Sequence, residues 1–223
     1  IFDFTGTDPQ SIGSINFLLN EEMFKMFAGV YMIMVFDPQI LFNDGFYDLM
    51  EVRIPAGTLL KPLKPAALSC RTHALGRIFD VLGGLLGQGN PAFMCAAGFS
   101  DSPHFMYSGY RANGEWYQLY QIGFGGPDGH SLWPSFTNVP NEFLESYFPL
   151  RIDTYETIAD TGGPGKNRGG NALRIGYRFL EPGEISIHDD RWLTYPWGVN
   201  GGLPGARSKK ILVRTDGTQE LMP

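Results

Sequence analysis

Four stretches of this chain combine side chains that can move protons or hold anions. The first runs from Asp160 to Asn171 and reads Asp-Thr-Gly-Gly-Pro-Gly-Lys-Asn-Arg-Gly-Gly-Asn. Successive glycine N–H groups can form a nest that cradles an anion, and Lys166 and Arg168 can add charge-assisted hydrogen bonds. The GxxxxGK[ST] order of a phosphate loop is missing, and no helix-like segment follows. Two other readings stay open. The loop can be a structural turn that holds two strands in register, with glycine allowing close backbone approach. It can equally be a loop that docks on a partner subunit.

The second stretch is Ser186-Ile-His188-Asp-Asp190-Arg-Trp192. It ends a strand-like run, where loops carry function. Strand alternation places His188 and Asp190 on one face and Asp189 on the other. His188 can serve as a general base, with a carboxylate fixing its tautomer. One strand end supplies at most two metal ligands, short of a metal site's need, so no metal ligand is assigned. The alternative is a His–Asp–Arg network that fixes a corner of the fold. The third stretch, Gly129 to Asn138, mixes His130 and hydroxyls with aromatics, as a pocket lining would. Ser131 lacks the GxSxG elbow, so no hydrolytic triad is proposed, and an ordered surface loop is the plainer reading. The fourth, Ser69-Cys-Arg-Thr-His73, sits at the mouth of a helix. Helix N-termini favour anions and lower thiol pKa values. Arg71 can contact a carboxylate or bicarbonate, with His73 beside it. Cys70 is either a nucleophile or a buried structural thiol. His104 reads as a packed or surface histidine.

Composition narrows the function classes. The 223 residues are 43% hydrophobic and 18% charged, enough for a sizeable core and unlike a disordered chain. A net charge of -6 and the lack of a basic run argue against nucleic-acid binding. The most apolar run, Met23 to Phe36, carries Lys25 and is too short to span a bilayer. Cys70 and Cys95 are the only cysteines, which fits a reduced, cytoplasmic protein. Ile1-Phe2-Asp3-Phe4 already reads as a strand without an initiator Met, so the chain is expected to be a fragment of a larger subunit. Gly126-Pro127 reads as a second place where residues are missing.

The elements that must position these residues follow from periodicity. Asn20 caps a helix carrying Met23, Phe24, Phe27, Val30, Tyr31 and Met34, and Asp37-Pro38 stops it. Thr72 caps a second helix with Leu75, Ile78, Phe79, Leu82, Leu85 and Leu86. Gly76, Gly83 and Gly84 within it imply close packing. A short helix is expected over Glu142 to Tyr147. Strands are expected at Ile1–Phe4, Met50–Ile54, Phe93–Phe99, His104–Tyr110, Trp116–Phe124, Leu150–Ile158, Leu173–Phe179, Ile185–His188 and Ile211–Arg214. Asn113-Gly114 and Asp216-Gly217 mark tight turns. Without a βαβ rhythm the fold class is α+β, mainly antiparallel β with a few helices. No linker is convincing, so residues 1–223 are treated as one unit.

Ordered motifs carry a family resemblance. Asp3-Phe-Thr-Gly-Thr-Asp-Pro-Gln10, Gly13-Ser-Ile-Asn16, Asn43-Asp-Gly45, Ile54-Pro-Ala-Gly-Thr-Leu-Leu60, Thr137-Asn138 and Tyr147-Phe-Pro-Leu-Arg151 resemble conserved segments of the hydantoinase B/oxoprolinase family. So do Gly162, Gly163, Gly165, Arg168, Gly169 and Gly170 of the glycine loop, and Trp197-Gly-Val-Asn-Gly-Gly-Leu-Pro-Gly205. The resemblance implies a subunit of a cytosolic, multi-subunit, ATP-dependent enzyme. A hydantoinase A-type partner would bind ATP and phosphorylate a carbonyl or bicarbonate oxygen. The B-type subunit would complete the chemistry, often with a divalent metal and without biotin. The family's Asp/His-rich metal segment has no counterpart here, so the metal is expected outside this segment.

Within the family, the aromatic runs at His104–Tyr120 and Asp189–Trp197 resemble the acetophenone and acetone carboxylases. The first expectation is therefore a ketone carboxylase, with Arg71, His73, His130 and His188 in carboxylate contact and acid–base work. The alternatives are ATP-dependent hydrolysis of a cyclic amide (a hydantoin, oxoproline or lactam) and a non-catalytic scaffold subunit. A hetro-oligomer acting on a small carbonyl substrate, with no nucleic acid and no membrane, is common to the catalytic readings.

Overall fold

The computed structural model describes residues 1–69, 71–99, 104–122 and 138–222. The side chains of Thr72 and Ile122 are outside that description, as are Cys70, His130 and Gly126-Pro127. The chain groups into two compact units, one built on Ile1–Asp101 and the other on Ser102 onward.

The first unit is organised by two helices. Strand β1 (Phe2–Asp3) pairs in parallel with β2 (Val52–Arg53). Helix α1 spans Glu21–Val35 and begins at Asn20, whose side chain accepts the Met23 N–H at 2.7 Å. Such a cap satisfies an otherwise orphaned donor. A 3-10 turn follows at Asp44–Leu49, capped by Asn43. Helix α2 spans Arg71–Gly89, so Thr72 is its second residue and not its cap. Phe17, Phe24, Tyr31, Leu75, Phe79 and Leu82 form the core, and Tyr31 stacks on Phe79 at 5.6 Å. A Cβ on Gly83 would lie 3.0 Å from Cys95 Cβ, and one on Gly87 would lie 2.6 Å from Met94 Cα. These two glycines bring residues 94–95 against α2. The strand expected at Phe93–Phe99 is accordingly absent. Pro91–Phe93 forms a 3-10 turn, and 94–99 packs on the helix without pairing.

The second unit is antiparallel β. Strand β3 (His104–Tyr110) lies between β4 (Trp116–Ile122) and β7 (Gly183–His188). The β3–β4 turn has Gly114 at φ 82, the left-handed backbone that Asn-Gly favours. Helix α3 (Asn141–Tyr147) leads into β5 (Leu150–Ile158), which pairs with β6 (Ala172–Phe179). Strands β8 (Ile211–Val213) and β9 (Gln219–Leu221) close a terminal hairpin around Gly217, with β9 unforeseen from sequence. Phe105, Tyr107, Tyr117, Leu119, Leu144 and Leu150 form the core, and Tyr107 OH donates to Glu181 O at 2.6 Å. The α+β class with mainly antiparallel pairing is what the structure shows.

Candidate functional site

The glycine loop joins β5 to β6 and folds onto the segment Trp197–Gly205. A Cβ on Gly162 would lie 2.7 Å from the Gly169 carbonyl carbon and 3.0 Å from Gly170 O. One on Gly163 would lie 3.1 Å from Gly205 N. The neighbours are main-chain atoms, so no side chain could yield. Hydrogen bonds close this clasp: Gly169 N–H to Gly163 O at 3.0 Å, Leu203 N–H to Pro164 O at 2.7 Å, and Ala206 N–H to Thr161 O at 2.9 Å. Gly162 N–H donates to Asn171 Oδ1 at 3.3 Å. Arg168 pairs with Asp160, whose φ is 59. The Gly162 and Gly169 N–H groups and the Arg168 guanidinium therefore have partners within the chain. The loop's glycines serve backbone-on-backbone packing, as the structural reading expects.

Strand β7 ends at His188, and its register sets His188 directly beside His104 of β3. Their rings are near parallel, with centroids 6.5 Å apart. His104 is buried, and its Nδ1 lies 2.7 Å from the Tyr120 hydroxyl of β4. Burial, then the neighbouring His188, pulls the His104 imidazole below its ordinary pKa. The sequence reads His104 as a packed or surface histidine, and it is packed. Its surroundings come from cross-strand register, which no local pattern displays.

Past His188 the chain turns a corner. Arg191 has φ 66, so strand alternation stops before Asp190. Asp190 Oδ1 accepts the Arg191 N–H at 2.6 Å. The Arg191 side chain is fully buried, lies 5.2 Å from the Trp197 ring centre, and donates to Tyr195 O at 3.2 Å. Asp189 accepts from Trp192 Nε1 and faces Lys210 Nζ at 3.6 Å. Burial pushes its carboxyl up, opposed by Trp192 and Lys210. The corner is thus a desolvated, charge-paired anchor, joined through Trp197 to the segment the glycine loop clasps.

Arg71 is the exposed first residue of α2, and His73 is half-buried two positions on. Both belong to the first unit, whereas His188 belongs to the second. Among the described residues no group of three or more His, Cys, Asp or Glu side chains could hold a metal ion. The described residues therefore offer no site for the divalent metal that the resemblance implies. No described helix is long and apolar enough to cross a membrane.

The family profile described as Hydantoinase B/oxoprolinase matches residues 1–223. A curated relative, 5-oxoprolinase 1 of Arabidopsis thaliana, is 26% identical over 227 residues, covering 96% of this chain and 17% of that protein. Two solved structures share the fold. ATP-dependent caprolactamase from Pseudomonas jessenii superposes with a TM-score of 0.74 at 22% identity, over 97% of this chain and 41% of that one. Nucleotide-free acetone carboxylase superposes with a TM-score of 0.73 at 21% identity, over 94% of this chain and 30% of that one. The chain spans 38%, 32% and 17% of the length of three curated relatives it matches.

Proposed function

The chain belongs to the Hydantoinase B/oxoprolinase family, and from that premise we propose that it is part of the B-type subunit of an ATP-dependent, hetero-oligomeric enzyme acting on a small carbonyl substrate. A hydantoinase A-type partner binds ATP and phosphorylates an oxygen of the substrate or of bicarbonate. This subunit completes the reaction, using a divalent metal held outside this segment and no biotin. The observation that carries the reading is the family match along the whole chain. His188 is a proton-transfer group of the second unit. Arg71 and His73 of the first unit and His130 are the further contacts for carboxylate and proton.

Two finer chemistries fit. Joining bicarbonate to a ketone is supported by the likeness to acetone carboxylase. Opening a cyclic amide is supported by the likeness to caprolactamase and by the 5-oxoprolinase relative. The aromatic run does not favour the ketone, because Phe105, Tyr107 and Tyr117 are spent on the core. ATP consumption by the intact natural complex separates the two. Turnover that needs acetone or acetophenone together with bicarbonate assigns the carboxylase. Turnover with oxoproline, a hydantoin or caprolactam alone assigns the amidohydrolase. ATP consumption indifferent to every carbonyl compound would contradict the proposal.

A further inference from the structure

Register sorts the β4–β3–β7 sheet into a core face and an open face. Phe105 and Tyr107 of β3, Tyr117 and Leu119 of β4 and Ile187 of β7 pack inward. His104, Met106 and Ser108 of β3, Gln118 and Tyr120 of β4, and Ser186 and His188 of β7 alternate to the other side. At one end of that face the buried His104 (8% exposed) meets the hydroxyl of Tyr120, a side chain 54% exposed. His188 lines the same end from β7.

We propose that Tyr120 and His104 form a proton-transfer dyad on this face, with Tyr120 as the catalytic residue that meets the carbonyl substrate and His104 as its positioning partner. The inference rests on the carbonyl-acting reading above and adds residues to it. A phenol alone, with a pKa of about 10, is a slow proton exchanger at neutral pH. A hydrogen bond to an imidazole nitrogen changes that, because the phenolic proton then has an acceptor 2.7 Å away. Burial disfavours the charged ring, and in the tautomer with the proton on Nε2, Nδ1 is the acceptor. Among the described residues, Tyr120 from β4 and His188 from β7 face His104.

The step balances in either chemistry. A proton leaves the attacking water, or the carbon beside a ketone carbonyl, for the Tyr120 oxygen. The Tyr120 hydroxyl proton passes at the same time to His104 Nδ1. The electron pair of the broken O–H bond forms the new bond to the carbonyl carbon, or that of the broken C–H bond forms the enolate C=C, and in both cases the C=O π pair moves onto oxygen. In the amide chemistry that pair returns as the C–N bond breaks, and the reverse transfer gives the proton to the leaving nitrogen. In the carboxylation the enolate carbon bonds to the activated bicarbonate carbon, phosphate leaves with its C–O pair, and the proton goes to solvent.

The test uses the intact natural complex, with ATP and both substrate panels. Tyr120→Phe keeps the ring and is expected to lower kcat about 100-fold with KM little changed. His104→Gln should lower kcat and displace the acidic limb of its pH profile. The double variant should be no worse than the worse single one, as for groups acting as a unit. Wild-type kcat in Tyr120→Phe overturns the dyad, as does a multiplicative loss in the double variant. An unshifted acidic limb in His104→Gln overturns the positioning role even if kcat falls. Failure of the underlying reading looks different: the wild-type complex itself would turn over neither panel, and the dyad would fall with it.

Discussion

Replacing Gly162 with alanine should spring the clasp. The added Cβ would lie 2.7 Å from the Gly169 carbonyl carbon and 3.0 Å from Gly170 O, both main-chain atoms. One limb of the loop must therefore move. That movement strains or breaks the bonds Gly169 N–H to Gly163 O, Leu203 N–H to Pro164 O and Ala206 N–H to Thr161 O. At a net contribution of about 1 kcal/mol per bond the cost is about 3 kcal/mol. That sits at the top of the about 1–3 kcal/mol typical of overpacking. The assay is native-state hydrogen exchange of the Gly169, Leu203 and Ala206 amides, which should quicken by about 100-fold. Gly13→Ala is the control. Its nearest neighbour would be Ser11 Oγ at 3.5 Å, ordinary contact, and stability should stay within about 0.5 kcal/mol. Unchanged protection in Gly162→Ala would refute the clasp. Weakened anion binding with intact protection would restore the anion cradle.

Two further outcomes are expected. Asn16 is fully buried, donates through Nδ2 to Ser11 O, Gly13 O and Ala67 O, and accepts the Ser11 N–H at 2.8 Å. Asn16→Ala strands those groups and should destabilise by about 2–4 kcal/mol, read from the urea midpoint at constant m-value; a shift below about 1 kcal/mol would contradict it. The depressed pKa of His104 makes stability fall on acidification. Below about pH 6.5 the unfolded chain takes up a proton that the folded ring resists, so the unfolded state binds more protons and is favoured. Urea titrations at falling pH should show this slope in the wild type and lose it in His104→Gln, while the raised carboxyl of Asp189 acts in the opposite sense in both. An identical slope in the two proteins would be the contrary result.

Local signals carried much of the fold. The cap at Asn20 and the apolar spacing behind it gave α1, and Asn113-Gly114 gave the β3–β4 turn, because both depend on neighbours in sequence. Phe93–Phe99 misled because apolar composition suits a strand or a packed coil equally. The deciding contact is Gly87 against Met94. Strand β9 was missed because its three residues, Gln219-Glu-Leu221, are exposed and too few to show an alternation. The glycine loop was visible as a motif with close backbone approach as one reading, but its partner Trp197–Gly205 is distant in sequence, so what it packs on could not be read locally. His104 illustrates the same limit at the site. Its burial and its pairing with Tyr120 and His188 follow from strand register. Arg191 likewise reads as a surface cation in sequence and proves fully buried against Trp197.

The part His188 takes in the chemistry is tested most directly by His188→Gln in the intact natural complex. Product formation is measured with the substrate the wild type accepts, alongside ATP binding by the partner subunit. The account predicts that turnover falls about 100-fold or more while ATP binding is unchanged. Wild-type turnover would remove His188 from the mechanism and contradict the role the account gives it.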